Sequence, residues 1–217
     1  MTAGWTIRHS HGDTAAFHAT VPDAARSLTF HTVERPTLVL GSAQAPADVD
    51  HRVAAALGVD VVGRRSGGGA VLLWPGEFVW LDVVIPVDDR RWDADVGRAM
   101  VWVGQWWAVA LAGLGVAGTV HVDGLRSDTW SRQVCWTGVG TGEVMFGGSK
   151  LVGISQRRTR HLARFQTMCH LRWRPEVVAA LVAPPRPTAS LLAHSAAVVP
   201  ATELDLRQAL LDTAPPA

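Results

Sequence analysis

Two stretches of this chain carry side chains that could do chemistry. The first, Gly63 to Glu77, reads GRRSGGGAVLLWPGE and sets Arg64, Arg65 and Ser66 directly before Gly67, Gly68 and Gly69. Adjacent glycines lose much backbone freedom on folding, so they mark either a permissive loop or a place where another group must reach the backbone. Successive bare N–H groups can form a concavity for an anion, and two guanidiniums beside it could add charge-assisted bonds to a phosphate. A flexible turn has the same composition. No GxGxxG is present and a strand-like run follows at Ala70, so the stretch is not a dinucleotide fingerprint.

The second stretch, GEVMFGGSK from Gly142 to Lys150, approaches the phosphate-loop pattern GxxxxGK[ST]. Its lysine arrives two positions late, no Ser or Thr follows, and LVGIS reads as a strand rather than a helix, which excludes that loop. What remains of interest is Lys150 itself. Of twenty Lys and Arg residues it is the single lysine, and the other nineteen are arginine. GC-rich codon usage accounts for the arginines. A lysine kept against that bias points to a task for a compact charge on a flexible stem, which a planar guanidinium cannot perform.

Composition narrows the classes. Hydrophobic residues at 48% and charged residues at 18% exclude a disordered chain, and 217 residues can bury one sizeable core. A net charge of +1 argues against a nucleic-acid binder. No run of about 18 apolar residues suggests a membrane span, and MTAGWTIRHSHGD lacks the blocks of a signal peptide. The two cysteines, Cys135 and Cys169, have no CxxC spacing, which excludes a disulfide scaffold and fits the cytoplasm. Nine histidines, including His9 and His11, show no zinc-ligand spacing, so no structural metal is expected.

The elements that must position these groups follow from periodicity. Pro22 to Phe30 could open a helix, Thr37 to Leu40 reads as a strand closed by Gly41, and a helix should end near Gly58. Val59–Val62, Ala70–Leu73 and Phe78–Ile85 read as strands, the last two split by the Trp74-Pro75-Gly76 turn. Val96, Met100, Val103, Trp107, Ala110, Leu111 and Leu114 recur at helical steps, predicting one long helix over Ala94–Leu114. Val120–Val122, Val134–Thr137, Glu143–Phe146 and Leu151–Gln156 are further strands; Pro175–Val182 is a short helix, and Thr202 caps a last one through Leu211. Mixed strands and helices without βα alternation predict an α+β fold.

Taken together, the two stretches are far more specific than either alone. Arg64-Arg65-Ser66-Gly67-Gly68-Gly69-Ala70-Val71 and Gly148-Ser149-Lys150-Leu151-Val152-Gly153-Ile154-Ser155-Gln156-Arg157 resemble the RRxSGGGAV and GRKxxGSAQxR loops of the lipoate–protein ligase A family. That family lies within the biotin/lipoate ligase and octanoyltransferase superfamily. Pro36 to Gln44 is similar to its PxLVLGxxQ segment, and the likeness runs from about Arg26 to Trp173, with a core of about 26–183. The resemblance implies a mixed, largely antiparallel sheet flanked by helices, forming a single catalytic domain over 1–217. It implies activation of lipoate or octanoate by ATP with Mg²⁺ as an acyl-adenylate, then transfer to a lysine of a lipoyl carrier domain. Those carriers belong to 2-oxoacid dehydrogenases or are the glycine cleavage H protein. Lys150 would match the family's essential lysine and stabilise charge at the acyl carbonyl and α-phosphate. Arg64, Arg65, Ser66, Gly67, Gly68, Gly69, Ala70, Gly153, Ile154, Ser155, Gln156 and Arg157 would line the acyl and adenylate path, and Val71, Leu73 and Val79 could flank a tunnel for the acyl chain.

Three departures keep alternatives open. Leu73-Trp74-Pro75-Gly76-Glu77 stands where many relatives have an HDxGN-like segment, and Ala163 to Thr167 where they have histidines. The small C-terminal domain of full-length ligases is expected to be absent, leaving a role for a separate accessory chain. Val134-Cys135-Trp136 lies fifteen residues before Lys150, as a cysteine does in ligase-like octanoyltransferases. Cys135 would then take octanoyl from acyl-carrier protein as a thioester. A third alternative is a non-catalytic acyl- or nucleotide-binding module of the same fold.

Overall fold

The computed structural model describes residues 4–216. The chain opens with β1 (Thr6–Gly12), the short helix α1 (Thr14–Ala19) and β2 (Ser27–Val33). Next come β3 (Thr37–Leu40), α2 (His51–Leu57), β4 (Asp60–Gly63) and β5 (Val71–Leu73), then the long β6 (Phe78–Pro86) and α3 (Val96–Gly113). β7 (Thr119–Val120), β8 (Val144–Phe146), β9 (Ser149–Arg158) and β10 (Leu162–His170) follow, and α4 (Pro175–Leu181), α5 (Ala189–Leu192) and α6 (Glu203–Asp212) come last.

Seven strands form one sheet in the order β1-β2-β6-β10-β9-β8-β7, antiparallel at every pairing except β1 with β2. A smaller sheet, β4-β3-β5, pairs β3 in parallel with β4 and antiparallel with β5. This is the mixed, largely antiparallel α+β architecture that the sequence suggested.

The period-two pleat of β6 divides the molecule into two cores. Val79, Leu81, Val83 and Ile85 face α3 and α6, where Val103, Trp106, Trp107, Leu111, Leu206 and Leu210 bury them. Phe78 and Trp80 face the other way, against β3, β5 and the short helices, with Leu38, Leu72, Trp136 and Leu181. Val79 therefore lies in the helix-side core and cannot flank a tunnel on the opposite face, whereas Val71 and Leu73 face the smaller sheet's side. No helix among the described residues is long and apolar enough to cross a membrane.

Local expectations met tertiary reality unevenly. Asp50 caps α2 through Val53 N–H, Asp95 caps α3 through Arg98 N–H, and Thr202 caps α6 through Asp205 N–H. Gly58 ends α2 in the left-handed region at φ 64°, as a glycine after a last turn should. The helix expected over Pro22–Phe30 is not formed. Ser27–Val33 is instead strand β2, held between β1 and β6, because long-range pairing outweighs a proline-led start. The strand expected at Val134–Thr137 is a single 3₁₀ turn, Cys135–Thr137. Leu162–His170 was assigned no element from sequence, yet as β10 it is a central strand paired along its length with β6 and β9.

The segment Trp74-Pro75-Gly76-Glu77 works as a clasp. Arg174 donates to both carboxylate oxygens of Glu77 at 2.6 Å and lies 4.3 Å above the Trp74 ring. The Glu77 carbonyl accepts from Leu171 and Arg172 N–H. The β5–β6 turn is thereby tied to the start of α4.

His170 and His18 are buried on the smaller sheet's side, as is His31. His170 packs between Trp136 and Trp173, with ring centroids at 4.5 and 4.9 Å and planes tilted by 49° and 48°, and burial lowers its pKa from 6.5 to about 3. Burial likewise lowers His18 to about 4, against the opposing pull of Asp82. Each stays neutral while the unfolded chain accepts a proton near 6.5, so stability is full above that pH and declines as pH falls toward the folded values. Urea midpoints should thus drop between about pH 6.5 and about pH 5, at up to about 1.4 kcal/mol per unit for each group. His170→Phe should remove about half of that pH dependence; an unchanged slope would show that the ring does not titrate as argued.

Candidate active site

The glycine loop is folded around one guanidinium. Arg64 is buried, and it donates to the carbonyls of Val39 at 3.1 Å and of Gly67 and Gly69 at 2.8 Å each. Its fork therefore satisfies loop carbonyls from within. Burial lowers the Arg64 pKa, and the nearby Cys135 opposes that shift. The glycines are needed for approach. A Cβ on Gly69 would stand 2.7 Å from the Val134 backbone, and one on Gly41 would stand 1.8 Å from the Gly68 carbonyl oxygen. With no side chains in the way, Ala70 N–H reaches Gln133 O at 2.8 Å and Cys135 N–H reaches Ala70 O at 3.0 Å. The loop is thus stitched to the Cys135 turn.

The second glycine cluster has a different job. Phe146 pairs with Ser149 across Gly147 and Gly148, whose φ values are 56° and 86°. That is a two-residue hairpin, and only residues tolerating positive φ at both positions make it tight. It starts β9 so that Lys150 points inward, with a side chain 2% exposed.

There the ammonium has fixed partners. Lys150 Nζ donates to Cys135 O at 2.8 Å and to Glu143 Oε2 at 2.8 Å, and lies 5.6 Å from the Trp136 ring centroid. Burial alone would discharge it; the Glu143 carboxylate, the Cys135 sulfur and the Glu143 hydrogen bond together hold the Lys150 pKa above its ordinary value. Glu143 is itself pinned by Gly140 N–H at 2.7 Å and Ile154 N–H at 3.1 Å. A buried carboxylate with this many donors stays put.

Between the two sheets lies a cleft lined by residues of both. Val39, Val71, Leu73, Trp80, Trp136, Ile154 and Met168 make most of its wall apolar; Cys135, Glu143, Arg64, Ser155, His18 and Gln166 supply its polar points. Of the residues expected from sequence, Arg64, Cys135, Gly153, Ile154 and Ser155 line it directly. Ser66 joins through its hydroxyl bond to Ser155 at 3.1 Å, which ties the glycine loop to β9. Lys150 reaches the cleft through Glu143 and Cys135. Gln156 and Arg157 stand further along β9, outside the lining, and Arg65 is exposed. Among the described residues no group of His, Cys, Asp or Glu is arranged to hold a metal ion.

Sequence reasoning missed Glu143, His18 and Gln166. Glu143 gave no local signal, because a carboxylate seven positions before a lysine on separate strands has no recognisable spacing. Gln166 was legible in principle. Arg164, Gln166, Met168 and His170 alternate with Ala163, Phe165, Thr167 and Cys169, which is the mark of a strand with one unlike face.

Residues 13–203 match the family model for the lipoyl protein ligase A/B catalytic domain. An octanoyltransferase LipM from Carboxydothermus hydrogenoformans is 31% identical over 133 residues, 60% of this chain and 48% of that protein. The chain thus aligns with about half the length of that relative. Among solved structures, a putative lipoate protein ligase from Thermoplasma acidophilum with bound lipoic acid superposes with TM-score 0.69 at 18% identity, covering 93% of this chain and 76% of that one. The bi-partite lipoate protein ligase of that organism, described with its E2 lipoyl domain, gives 0.69 at 17%, covering 93% and 74%. A lipoate-protein ligase A bound with ATP gives 0.71 at 18%, covering 98% and 84%. At these identities the superpositions establish the fold.

Removing one partner of the buried pair should be costly. Glu143→Ala leaves an unpaired ammonium and should destabilise by about 3–5 kcal/mol, whereas the double change with Lys150→Met should recover much of that loss. Urea unfolding of the three proteins checks this, and a Glu143→Ala stability equal to wild type would refute the pairing.

Proposed function

The chain belongs to the lipoyl protein ligase A/B catalytic-domain family, and from that premise we propose that it transfers a medium-chain acyl group, octanoyl or lipoyl, to a lysine of a lipoyl carrier domain through a thioester on Cys135. The observation that carries this reading is the position of Cys135. It lines the apolar cleft while its own carbonyl is bound by Lys150. A nucleophile is useful only where the acyl carbon can reach it.

In the first step the Cys135 thiolate attacks the carbonyl of an acyl thioester delivered by an acyl-carrier protein. A bond forms between Sγ and the acyl carbon, the donor's carbon–sulfur bond breaks, and the carrier thiol leaves with the proton Cys135 gave up. In the second step the neutral amine of the acceptor lysine attacks the same carbon. The amide forms, Sγ leaves, and the proton lost by the amine returns to Cys135. Lys150 and Arg64 bring positive charge to the sulfur and to the oxyanion formed in each step. Glu143 fixes the lysine's position. The apolar wall holds the hydrocarbon and keeps water from the thioester.

Adenylation fits Lys150 less well, because an α-phosphate placed against its ammonium would also meet the Glu143 carboxylate 2.8 Å away. One observation still favours an ATP-dependent route. Arg65 and Arg157 stand beyond the cleft, and among the described residues neither has a carboxylate partner. Desolvation and then Arg65 lower the Arg157 pKa, as expected of two neighbouring cations awaiting an anion. In that reading the acyl carboxylate attacks the α-phosphorus of ATP, brought in as its Mg²⁺ complex, and pyrophosphate leaves. An accessory chain could then complete the enzyme, as the bi-partite description of the archaeal ligase suggests.

Intact-mass analysis of a lipoyl domain separates the routes. With octanoyl carrier protein and no ATP, wild type should add one octanoyl group and Cys135→Ser should add none, with a thioester trapped on wild type when the lipoyl domain is omitted. With lipoate plus ATP, mass gain that survives Cys135→Ser would instead support the adenylate route. No gain under either regime, from folded protein, would reject both.

A further inference from the structure

The cleft contains polar groups that neither route uses. His18, from the short helix α1, is buried, stacks on Trp80 at 4.9 Å and lines the cleft. The Gln166 side-chain amide nitrogen lies 3.4 Å from His18 Nδ1. In this orientation of the amide the nitrogen donates and Nδ1 accepts, which assigns the ring's single proton to Nε2. Burial keeps the ring neutral at physiological pH, with its pKa at about 4. His18 Nε2 nevertheless has no hydrogen-bond partner and no contact with solvent. A second cleft-lining side chain repeats the pattern, since Trp136 Nε1 is also buried without a partner.

An orphan donor in an apolar cavity is costly, because no bond offsets its loss of water, and a phenylalanine would remove that cost. Two such donors among walls of Val, Leu, Ile and Met are wasteful for a site that binds a plain alkyl chain. They suit a chain that carries an acceptor of its own. Sites built around a hydrogen bond reject analogues that lack it, because the buried donor is then left unpaired.

The geometry points to His18 as a specificity determinant that makes the cleft prefer acyl chains bearing an oxygen hydrogen-bond acceptor over an unsubstituted alkyl chain of equal length. His18 Nε2–H donates to that acceptor, Gln166 holds the tautomer, and Trp80 holds the ring plane. The inference rests on the acyl-cleft reading above and sharpens its substrate class. It needs neither Cys135 chemistry nor ATP.

The test is binding of free acids to the whole protein, read by tryptophan fluorescence from Trp80 and Trp136. The probes are octanoate, lipoate and a series of mono-oxo octanoates with the ketone walked along the chain. At least one ketone should bind wild type about tenfold tighter than octanoate, the ratio given by about 1.4 kcal/mol. In His18→Phe that preference should vanish, with octanoate binding improved. A preference that persists in His18→Phe, or a wild type that ranks octanoate first, would overturn the assignment. Should that variant not fold, an isotope-labelled ketone on wild type gives the same answer: its carbonyl stretch should shift to lower frequency on binding, and an unshifted band would count against the bond. If no acid binds at all, this inference fails, while the intact-mass experiment still decides the acyl-transfer reading by itself.

Discussion

A single buried ammonium governs the architecture of the site. Lys150 cannot remain charged in an interior without partners, because desolvation of an isolated ion costs far more than a fold can spare. Its partners come from two other segments: the carbonyl of Cys135 on the 3₁₀ turn, and the carboxylate of Glu143 just before β8. Those segments must therefore converge on β9, and the remaining donors to Glu143, from Gly140 and Ile154, extend the constraint. Replacing the pair with apolar side chains could be neutral or even stabilising. Its retention is better understood through chemistry than through stability, because it sets a charge beside the one thiol among the described residues that line the cleft.

The glycine loop answers to the same constraint from the other side. The Cys135 turn cannot be held by Lys150 alone, since one hydrogen bond to a carbonyl leaves it free to pivot. Ala70 supplies the second attachment through a pair of backbone bonds, and only glycine at position 69 lets the chains come close enough to make them. Arg64 then closes the loop from beneath by gathering the carbonyls that such a tight path leaves unpaired. The sequence places Arg64 and Arg65 side by side, yet they do different work. One is a structural strut, and the other is exposed to solvent.

Much of this was legible from residues alone, for identifiable reasons. The cap at Thr202 and the glycine end at Gly58 depend on contacts within a few residues, so local sequence contains them. The long helix α3 announces itself by period, and the two glycine-bearing stretches by composition. What local sequence does not contain is which distant strand a segment will join. Ser27–Val33 and Leu162–His170 take their strand character from β6, and the proline before the first of them misdirects a local reading. Glu143 was invisible for the same reason: its meaning lies in a lysine on another strand and a turn from a third segment.

The failure at β10 also says something about function. A central strand should carry apolar residues on both faces when both are buried. Here the face toward α3 obeys, with Ala163, Phe165 and Cys169 in the core and burial pushing the Cys169 thiol up to about 12. The opposite face carries Arg164, Gln166 and His170. Arg164 is neutralised by Asp82, with further bonds to the carbonyls of Thr20 and Phe17, and these hold α1 over the end of the cleft. His170 is sandwiched against Trp136, the residue after the candidate nucleophile. Gln166 orients His18. Each departure from the apolar rule on this face positions something at the cleft, which is where local consistency is expected to yield to function. The strand gave no plain alternating signal because one of its faces lines the cleft with polar side chains.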